Sequence, residues 1–391
     1  MRVALIATST VVSLLMVEGF LRLRERLRNE TPTASTFDEA IYTFDPARHH
    51  RLIPNGRYRH ASYEFDYVWA NNSLGMRDRE HPLRKPPETF RIFVLGDSFI
   101  QGYGVLLEET MVHRLETGLN QPGRPAIEVL NGGIFGYSPM LEYAYLHEVI
   151  DSLQPDLVIV AFFLGNDVGD DNFYHRTAHF APDGETFSFD DHRWPWSLIA
   201  DQLERKSGSD SNEASAASDG GGPPTLRDVL RQSRTLALLK NRFGQRSYPE
   251  HREREFALVR EHRGDIRYDL AAVNYPVRTR EERLAWWGTS LDYLAKIAAL
   301  CRAHDARMVL LVIPPLERFL GETDLAEPYD ILEDFGRRLS VPVINLLPEF
   351  VADDPQSLYY KFDRHWNRDG HRVAAGIVER KLRGLNVLPG Q

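Results

Sequence analysis

Uninterrupted apolar segments alternate with amphipathic segments through most of the chain from residue 90 onwards. The apolar segments are short, rich in β-branched and aromatic residues, and followed by glycine, proline or polar residues, as is typical of buried parallel strands. Between them, apolar residues recur at helical spacing. The pattern predicts five strands, at 91–95, 127–130, 157–164, 307–313 and 341–345. It predicts helices at 108–119, 140–153, 281–304, 330–339 and 368–382.

Strands that alternate with helices predict an α/β fold. The expected architecture is a three-layer αβα sandwich around a five-stranded parallel sheet. The segment at 157–164 is apolar throughout, so we expect it at the centre of that sheet. No internal repeat is visible.

The first part of the chain differs in character. Residues 3–21 are nearly all apolar and about long enough to cross a bilayer, and no small-residue cleavage site follows them. We therefore expect an uncleaved transmembrane helix, with a buried amphipathic helix as the alternative. The positive-inside rule would place the large domain in the cytoplasm, because arginines are more frequent after the segment (Arg22, Arg24, Arg26 and Arg28) than before it (Arg2).

Two further segments interrupt the regular pattern. Residues 29–89 are irregular, but partial alternation at 57–69, closed by a turn at 71–75, predicts a β-hairpin that leads into the sheet. Arg77 and Asp78 follow this turn, either as a surface pair or facing the site. Residues from about 170 to 280 form an insertion that could act as a lid or a partner surface. Within it, the Ser/Gly/Asp-rich stretch 206–224 predicts a flexible linker, and a short helix is expected at 225–239.

These features divide the chain into three parts. We expect a membrane anchor at 1–28, an irregular segment with a hairpin at 29–89, and an α/β domain at 90–391 that contains the partly disordered insertion. A net charge of -9 argues against nucleic acid as a partner. The single cysteine, Cys301, excludes an intramolecular disulfide and a cysteine-based metal cluster, and its apolar helical surroundings predict a core position.

Candidate chemistry is found where the strands end. The first strand of the sheet runs into Gly96-Asp97-Ser98, which places a serine at the carboxyl edge, where open α/β sheets bind ligands. Gly-Asp-Ser is also an ordinary turn sequence. A serine nucleophile requires an imidazole to take its proton and a carboxylate to orient that imidazole. Asp363 and His365, in the loop before the last helix, have these side chains, although a surface pair beside a helix N-cap would look the same.

An attacked carbonyl also requires hydrogen-bond donors for the oxyanion that forms. Gly136 follows the second strand and offers a backbone N–H, and Asn166 follows the third strand and offers a side-chain amide. Turns with these residues are common after strands. It is the joint occurrence of all these residue types at the ends of one sheet that indicates catalysis.

Other polar and aromatic groups have bland interpretations. The acidic cluster Asp167, Asp170 and Asp171 could bind a cation, but we favour a solvated loop. We expect no metal at the histidines of the insertion, which lack ligand-like spacing (His175, His179 and His192). Two tryptophan pairs could stack on sugars or pack in the core or a lid (Trp194 and Trp196, Trp286 and Trp287).

The strand-end motifs resemble the four blocks of the SGNH (GDSL-type) hydrolases, in the family's order. The blocks are Gly96-Asp97-Ser98, 131–136, 165–167 and 363–365. The resemblance implies the SGNH, flavodoxin-like form of the α/β fold, with Ser98 as nucleophile, His365 as base and Asp363 as the residue that orients it. It further implies an oxyanion hole formed by the N–H groups of Ser98 and Gly136 and by the Asn166 side chain.

One feature departs from the family pattern. A single residue separates Asp363 from His365, where the family often has two. This spacing, followed by Trp366, resembles the alginate O-acetylation branch, whose members are membrane-linked proteins that act on exopolysaccharide. The resemblance therefore favours an extracytoplasmic domain, against the distribution of the arginines.

These observations lead to a ranked set of functions. The first is a serine esterase or acylhydrolase that cleaves a carboxylic ester, acetyl included, in a lipid or an acetylated glycan, without a cofactor. The second is an O-acetyltransferase that modifies an extracytoplasmic polysaccharide. The third is a non-catalytic carbohydrate-binding protein on a hydrolase scaffold, which a full set of catalytic residue types disfavours.

Overall fold

A computed structural model describes residues 41–120, 125–190, 279–320, 326–352 and 354–389. The predicted anchor at 1–28, the linker at 206–224 and the helix at 225–239 lie outside these residues, as do His192, Trp194 and Trp196. None of the helices within the described ranges combines the length and the apolar character that crossing a membrane requires.

The elements follow one another in a regular order. The strands are β1 (Tyr42–Asp45), β2 (His49–Leu52), β3 (Arg57–Ala61), β4 (Asp66–Ala70), β5 (Phe90–Gly96), β6 (Ile127–Gly133), β7 (Leu157–Phe163), β8 (His179–Phe180), β9 (Phe187–Ser188), β10 (Arg307–Ile313) and β11 (Val343–Asn345). The α-helices are α1 (Ser98–Gln101), α2 (Met111–Leu119), α3 (Pro139–Leu153), α4 (Asp167–Thr177), α5 (Arg280–Trp286), α6 (Gly288–Ala303), α7 (Leu316–Phe319), α8 (Glu327–Leu339), α9 (Leu347–Ala352) and α10 (Arg368–Gly384). Short 3-10 helices span Leu107–Glu109 and Pro355–Leu358.

The main sheet has five parallel strands in the order β11-β10-β7-β5-β6. All five predicted strands are present, and the wholly apolar β7 is central, so the α/β prediction is confirmed. Strand β6 extends three residues beyond its predicted end, because Asn131, Gly132 and Gly133 continue to pair with β5. Strand β11 begins after Pro342, which has no N–H to contribute to the ladder.

Helices cover both faces of the sheet, as a three-layer sandwich requires. Alternate residues of β5 illustrate the division, since Phe93 and Leu95 belong to one apolar cluster while Ile92 and Val94 belong to the other. Helices α3, α6 and α8 pack on the first cluster, and α2 and α10 pack together on the second. The predicted helix at 281–304 is divided at Trp287 into α5 and α6.

Buried side chains resolve one alternative left open by the sequence and confirm one prediction. The ring of Trp287 is fully buried and stacks on Phe162 at 5.4 Å, so this tryptophan packs in the core. Cys301 is also buried, as expected, and burial raises the pKa of its thiol to about 12.

The segment before the sheet contains two antiparallel hairpins, β1–β2 and β3–β4. Arg77 follows them and is 1% exposed, so the surface-pair interpretation of this residue is wrong. Its guanidinium donates hydrogen bonds to the carbonyls of Gln101, Gly102 and Val105 and lies 4.2 Å from the ring centre of Trp69. Arg77 therefore ties the chain that follows α1 to the hairpin segment.

The approach of β6 to α1 leaves no room for a side chain at Gly133. A Cβ atom there would lie 2.2 Å from the backbone nitrogen of Gln101. We expect Gly133→Ala to lower the free energy of unfolding by about 2 kcal/mol or more, because backbone has to move. Urea unfolding followed by circular dichroism would measure this.

Gly376→Ala is the matched control, because a Cβ at that position of α10 meets no atom within 4 Å. This change should raise the free energy of unfolding by about 0.5 to 1 kcal/mol, as for alanine in a helix interior. Equal effects of the two substitutions would contradict the described packing at Gly133.

Candidate active site

The turn from β5 into α1 positions Ser98 at the carboxyl edge of the sheet. Asp97 caps α1, since its Oδ1 accepts a hydrogen bond of 2.9 Å from the N–H of Phe99. Ser98 is the first residue of that helix and is 5% exposed. The Gly-Asp-Ser sequence thus forms a strand-to-helix turn that holds a serine hydroxyl at the edge where ligands bind.

Three of the predicted residues meet in one hydrogen-bonded chain. The Oγ of Ser98 lies 2.7 Å from Nε2 of His365, and Nδ1 of His365 lies 2.6 Å from Oδ1 of Asp363. With a neutral imidazole, Ser98 donates to Nε2 and the Nδ1–H donates to the carboxylate. The intervening Arg364 has a φ of +71° and forms an ion pair with Glu317. The turn at Arg364 brings the carboxylate of Asp363 within hydrogen-bond distance of the His365 imidazole, with a single residue between the two.

Electrostatics favour the charged forms of both groups. Burial lowers the pKa of His365, but the charge of Asp363 and its hydrogen bond outweigh burial, and the pKa is raised above its ordinary value of 6.5. Burial raises the pKa of Asp363, but the imidazole outweighs it in turn, and that pKa is lowered below 3.8. At neutral pH Asp363 is ionised, and His365 is a stronger base than a free imidazole.

Aromatic rings fix the plane of the imidazole. Tyr103 stacks on His365 with a centroid distance of 4.6 Å, and Phe99 lies 5.0 Å away. These contacts, with the hydrogen bond to Asp363, restrict the ring to an orientation in which Nε2 faces Ser98.

The two predicted oxyanion donors follow the strands on either side of β5. Gly136, after β6, has a φ of +72°, a conformation that favours glycine, and its carbonyl accepts a hydrogen bond of 2.9 Å from Tyr174. Asn166, after β7, donates from Nδ2 to Asp170 at 2.8 Å. Because an amide nitrogen has two hydrogens, this bond leaves one for a ligand.

The acidic cluster of Asp167, Asp170 and Asp171 differs from the solvated loop that the sequence predicts. They lie on α4 and are 1%, 7% and 0% exposed, so the expected solvated loop is wrong. Two more buried carboxyls, Asp97 and Glu142, are close enough to act on them electrostatically. Over the described ranges, no group of histidine, cysteine and acidic side chains has the arrangement of a metal site.

Burial favours the neutral form of these carboxyls. It raises the pKa of Asp97 and of Asp171 to about 6, and hydrogen bonds from the Phe99 N–H and from Ser138 limit the two shifts. The pKa of Glu142 is raised well above its ordinary value of 4.5 by burial and by Asp171. Within the sequence, Glu142 is an ordinary member of a helical pattern, which gives no sign of its burial.

Several supporting residues were not predicted as part of the site. Glu64 accepts a hydrogen bond of 2.8 Å from the N–H of Asp363, although 299 positions separate the two residues. Buried His60 contacts the ring of Tyr103 at 4.6 Å. Local spacing contains no signal for such contacts, because they join elements far apart in the chain.

Comparison with known proteins found matches among solved structures. No family model and no curated protein matches the chain. A lipase/acylhydrolase from Enterococcus faecalis is 12% identical, with 76% of this chain and 96% of that one covered and a TM-score of 0.38. A GDSL-like lipase from Bacteroides thetaiotaomicron VPI-5482 is 10% identical, with 75% and 88% covered and a TM-score of 0.32.

A third solved structure, a two-domain esterase active on acetylated mannans, is 12% identical, with 77% of this chain and 50% of that one covered and a TM-score of 0.37. These three neighbours are a lipase/acylhydrolase, a GDSL-like lipase and an esterase. Such identities and TM-scores describe a likeness only, and the roles of the residues rest on the contacts given above.

The buried Glu142 makes a prediction about stability. Its carboxyl keeps a proton in the folded state at pH values where the unfolded chain has released it, so its contribution to stability is complete below about pH 4.5 and is lost as pH rises. Glu142→Gln removes this dependence. Relative to the natural protein, the variant should gain about 1.4 kcal/mol in free energy of unfolding per pH unit above that value, up to the folded pKa.

Urea unfolding at pH 5, 6, 7 and 8 would measure the difference. Asp151→Asn is the matched control on the same helix, because the Asp151 side chain is 89% exposed. A constant difference between Glu142→Gln and the natural protein at all four pH values would contradict the assignment.

Proposed function

We propose that this protein is a serine esterase of the SGNH type that cleaves a carboxylic ester through an acyl-enzyme on Ser98. The observation that supports it best is the hydrogen-bonded chain from Ser98 through His365 to Asp363, with 2.7 Å and 2.6 Å between its atoms. An ordinary turn serine, or a surface Asp/His pair beside a helix, would have no reason to form this chain. A non-catalytic binding protein would not need it.

The reaction follows from these positions. His365 takes the proton from Ser98 Oγ as the oxygen attacks the ester carbonyl, and Asp363 stabilises the imidazolium. The negative charge on the carbonyl oxygen is held by the N–H groups of Ser98 and Gly136 and by the Asn166 amide. The intermediate collapses, His365 protonates the departing alcohol, and the acyl group remains on Ser98.

The second half repeats the chemistry with a different nucleophile. His365 removes a proton from water, the resulting hydroxide attacks the acyl carbonyl, and Ser98 leaves with the proton returned by His365. An O-acetyltransferase would differ only in that a sugar hydroxyl replaces water. Hydrolysis and transfer therefore use the same residues, and they are separated by their products.

Replacement of the nucleophile tests the proposal directly. With p-nitrophenyl acetate and the full chain, Ser98→Ala should lower kcat/KM by about a thousandfold or more, because no acyl-enzyme forms. Ser357→Ala is the control, since that hydroxyl only donates to the backbone carbonyl of Asp354. Equal activity of the natural protein and Ser98→Ala would exclude the proposed mechanism.

Acetylation of an added oligosaccharide faster than release of acetate would identify a transferase.

The raised pKa of His365 predicts the pH dependence. His365 acts as a base only when neutral, so kcat/KM should fall as pH drops through the folded pKa, which lies above 6.5. Asp363→Asn should lower kcat by about a thousandfold and move this limb to lower pH, because the imidazolium loses its partner. Asp369→Asn, whose exposed carboxylate pairs with Arg372, should leave the profile unchanged. A limb that does not respond to Asp363→Asn would contradict the assigned roles.

A further inference from the structure

The hairpin β3–β4 contacts the two loops that contribute the candidate catalytic residues. On the nucleophile side, the hydroxyl of Tyr67 accepts a hydrogen bond of 3.0 Å from the N–H of Gly104, six residues after Ser98. On the other side, Glu64 in the hairpin turn contacts the loop that contains Asp363. The hairpin lies outside the αβα sandwich, so its contacts are additions to the fold that positions the strands.

The carboxylate of Glu64 accepts two neighbouring backbone N–H groups. The N–H of Asp363 lies 2.8 Å from Oε2, and the N–H of Phe362 lies 3.2 Å from each carboxylate oxygen. Hydrogen bonds to a charged acceptor are stronger than those between neutral groups. The two bonds fix the backbone from which the Asp363 side chain reaches His365.

The turn itself is built to hold Glu64 in place. Ser62 Oγ accepts a hydrogen bond of 3.1 Å from the N–H of Glu64, and the N–H of Ser62 donates to the carbonyl of Phe65 at 2.7 Å. Phe65 is buried and its ring lies 5.4 Å from that of Tyr360, in the same loop as Asp363. Glu64 therefore lies in a hydrogen-bonded turn, and that turn packs against the loop that the Glu64 carboxylate binds.

The strands next to the hairpin turn are fixed by a second hydrogen-bond chain. The hydroxyl of Tyr67 is hydrogen-bonded to Nδ1 of His60 at 2.8 Å while it accepts from the N–H of Gly104. Burial lowers the pKa of His60 to about 3, so this imidazole is neutral. Tyr360 donates to the carbonyl of Gly104 at 2.8 Å, which joins the two loops directly.

We propose that Glu64 is a positioning residue for Asp363, which it holds through the backbone in the geometry that orients His365. This inference rests on the proposed function, because it assigns Glu64 a role in the same site. Glu64 touches neither the nucleophile nor the imidazole. Its effect on the reaction is transmitted through the Asp363–His365 hydrogen bond.

Three substitutions separate hydrogen bonding from charge. Glu64→Ala removes both, Glu64→Gln keeps an acceptor oxygen without the charge, and Glu64→Asp keeps the charge but is one methylene too short to reach both N–H groups. Asp66→Asn is the matched control, because it breaks an exposed ion pair with Arg59 on the same hairpin without touching the loop.

We expect Glu64→Ala and Glu64→Asp to lower kcat for p-nitrophenyl acetate by about tenfold to a hundredfold, with KM changed much less, since small displacements of catalytic groups have effects of this size. Glu64→Gln should retain most of the activity, and Asp66→Asn all of it. If Glu64→Asp behaves like the natural protein while Glu64→Gln behaves like Glu64→Ala, charge rather than positioning is responsible and the inference is overturned.

A measurement without substrate separates this inference from the esterase proposal. The pKa of His365, followed by NMR in the full chain and assigned with His365→Gln, should fall in Glu64→Ala and Glu64→Asp because the bond to Asp363 weakens. It should stay near the natural value in Glu64→Gln and Asp66→Asn. An unchanged pKa in Glu64→Asp, in a protein that circular dichroism shows to be folded, would reject the role of Glu64. This readout holds even if the natural protein cleaves no ester.

Discussion

The hydrogen bond between Ser98 and His365 is the contact on which the organisation of the site depends, and it joins residues 267 positions apart. It forms only if the end of β5 and the loop before α10 arrive at the same point. Packing of α10 against α2 brings that loop to the carboxyl edge of the sheet, and Asn367, which caps α10, fixes where the helix begins. The proposed chemistry thus depends on helix packing on one face of the sheet.

Several buried carboxyls lie beside this contact, and one of them affects the pKa of His365. Asp97 lies next to Ser98, and its charge, after the larger contribution of Asp363, also raises the pKa of His365. Because the pKa of Asp97 is itself about 6, its carboxyl loses its proton in the range where an imidazole does. The carboxyls of α3 and α4 that surround it stay closer to neutral. Burial of these acids reduces stability at high pH, whereas the ionised form of Asp97 favours the imidazolium that the proposed reaction needs.

The two hairpins that precede the main sheet in the chain contact segments at the carboxyl edge of that sheet. In β1–β2, Tyr42 donates to Gln101 Oε1, which also accepts from the N–H of Phe135 beside Gly136. In β3–β4, Glu64 binds the loop with Asp363. The helix that begins at Ser98 and the loop that contains Asp363 are therefore each held by a side chain from outside the α/β core. Loops that contain catalytic residues need such partners, because strand pairing ends before them.

Much of the fold and of the candidate site could be predicted from residue patterns. The burial of a strand or of a helix face determines the spacing and the number of apolar residues in that segment, and both can be seen in the local sequence. That pattern predicts the five strands and their parallel arrangement in one sheet. It also identifies Ser98, Asp363 and His365 as candidates, because they lie at or near the ends of predicted elements. Local pattern says nothing about which distant groups meet. The burial of Arg77 and of the acids on α4, and the contact of Glu64 with Asp363, were decided by tertiary packing, since each depends on surfaces from separate elements. A polar side chain looks solvated in a sequence until its neighbours in space are known.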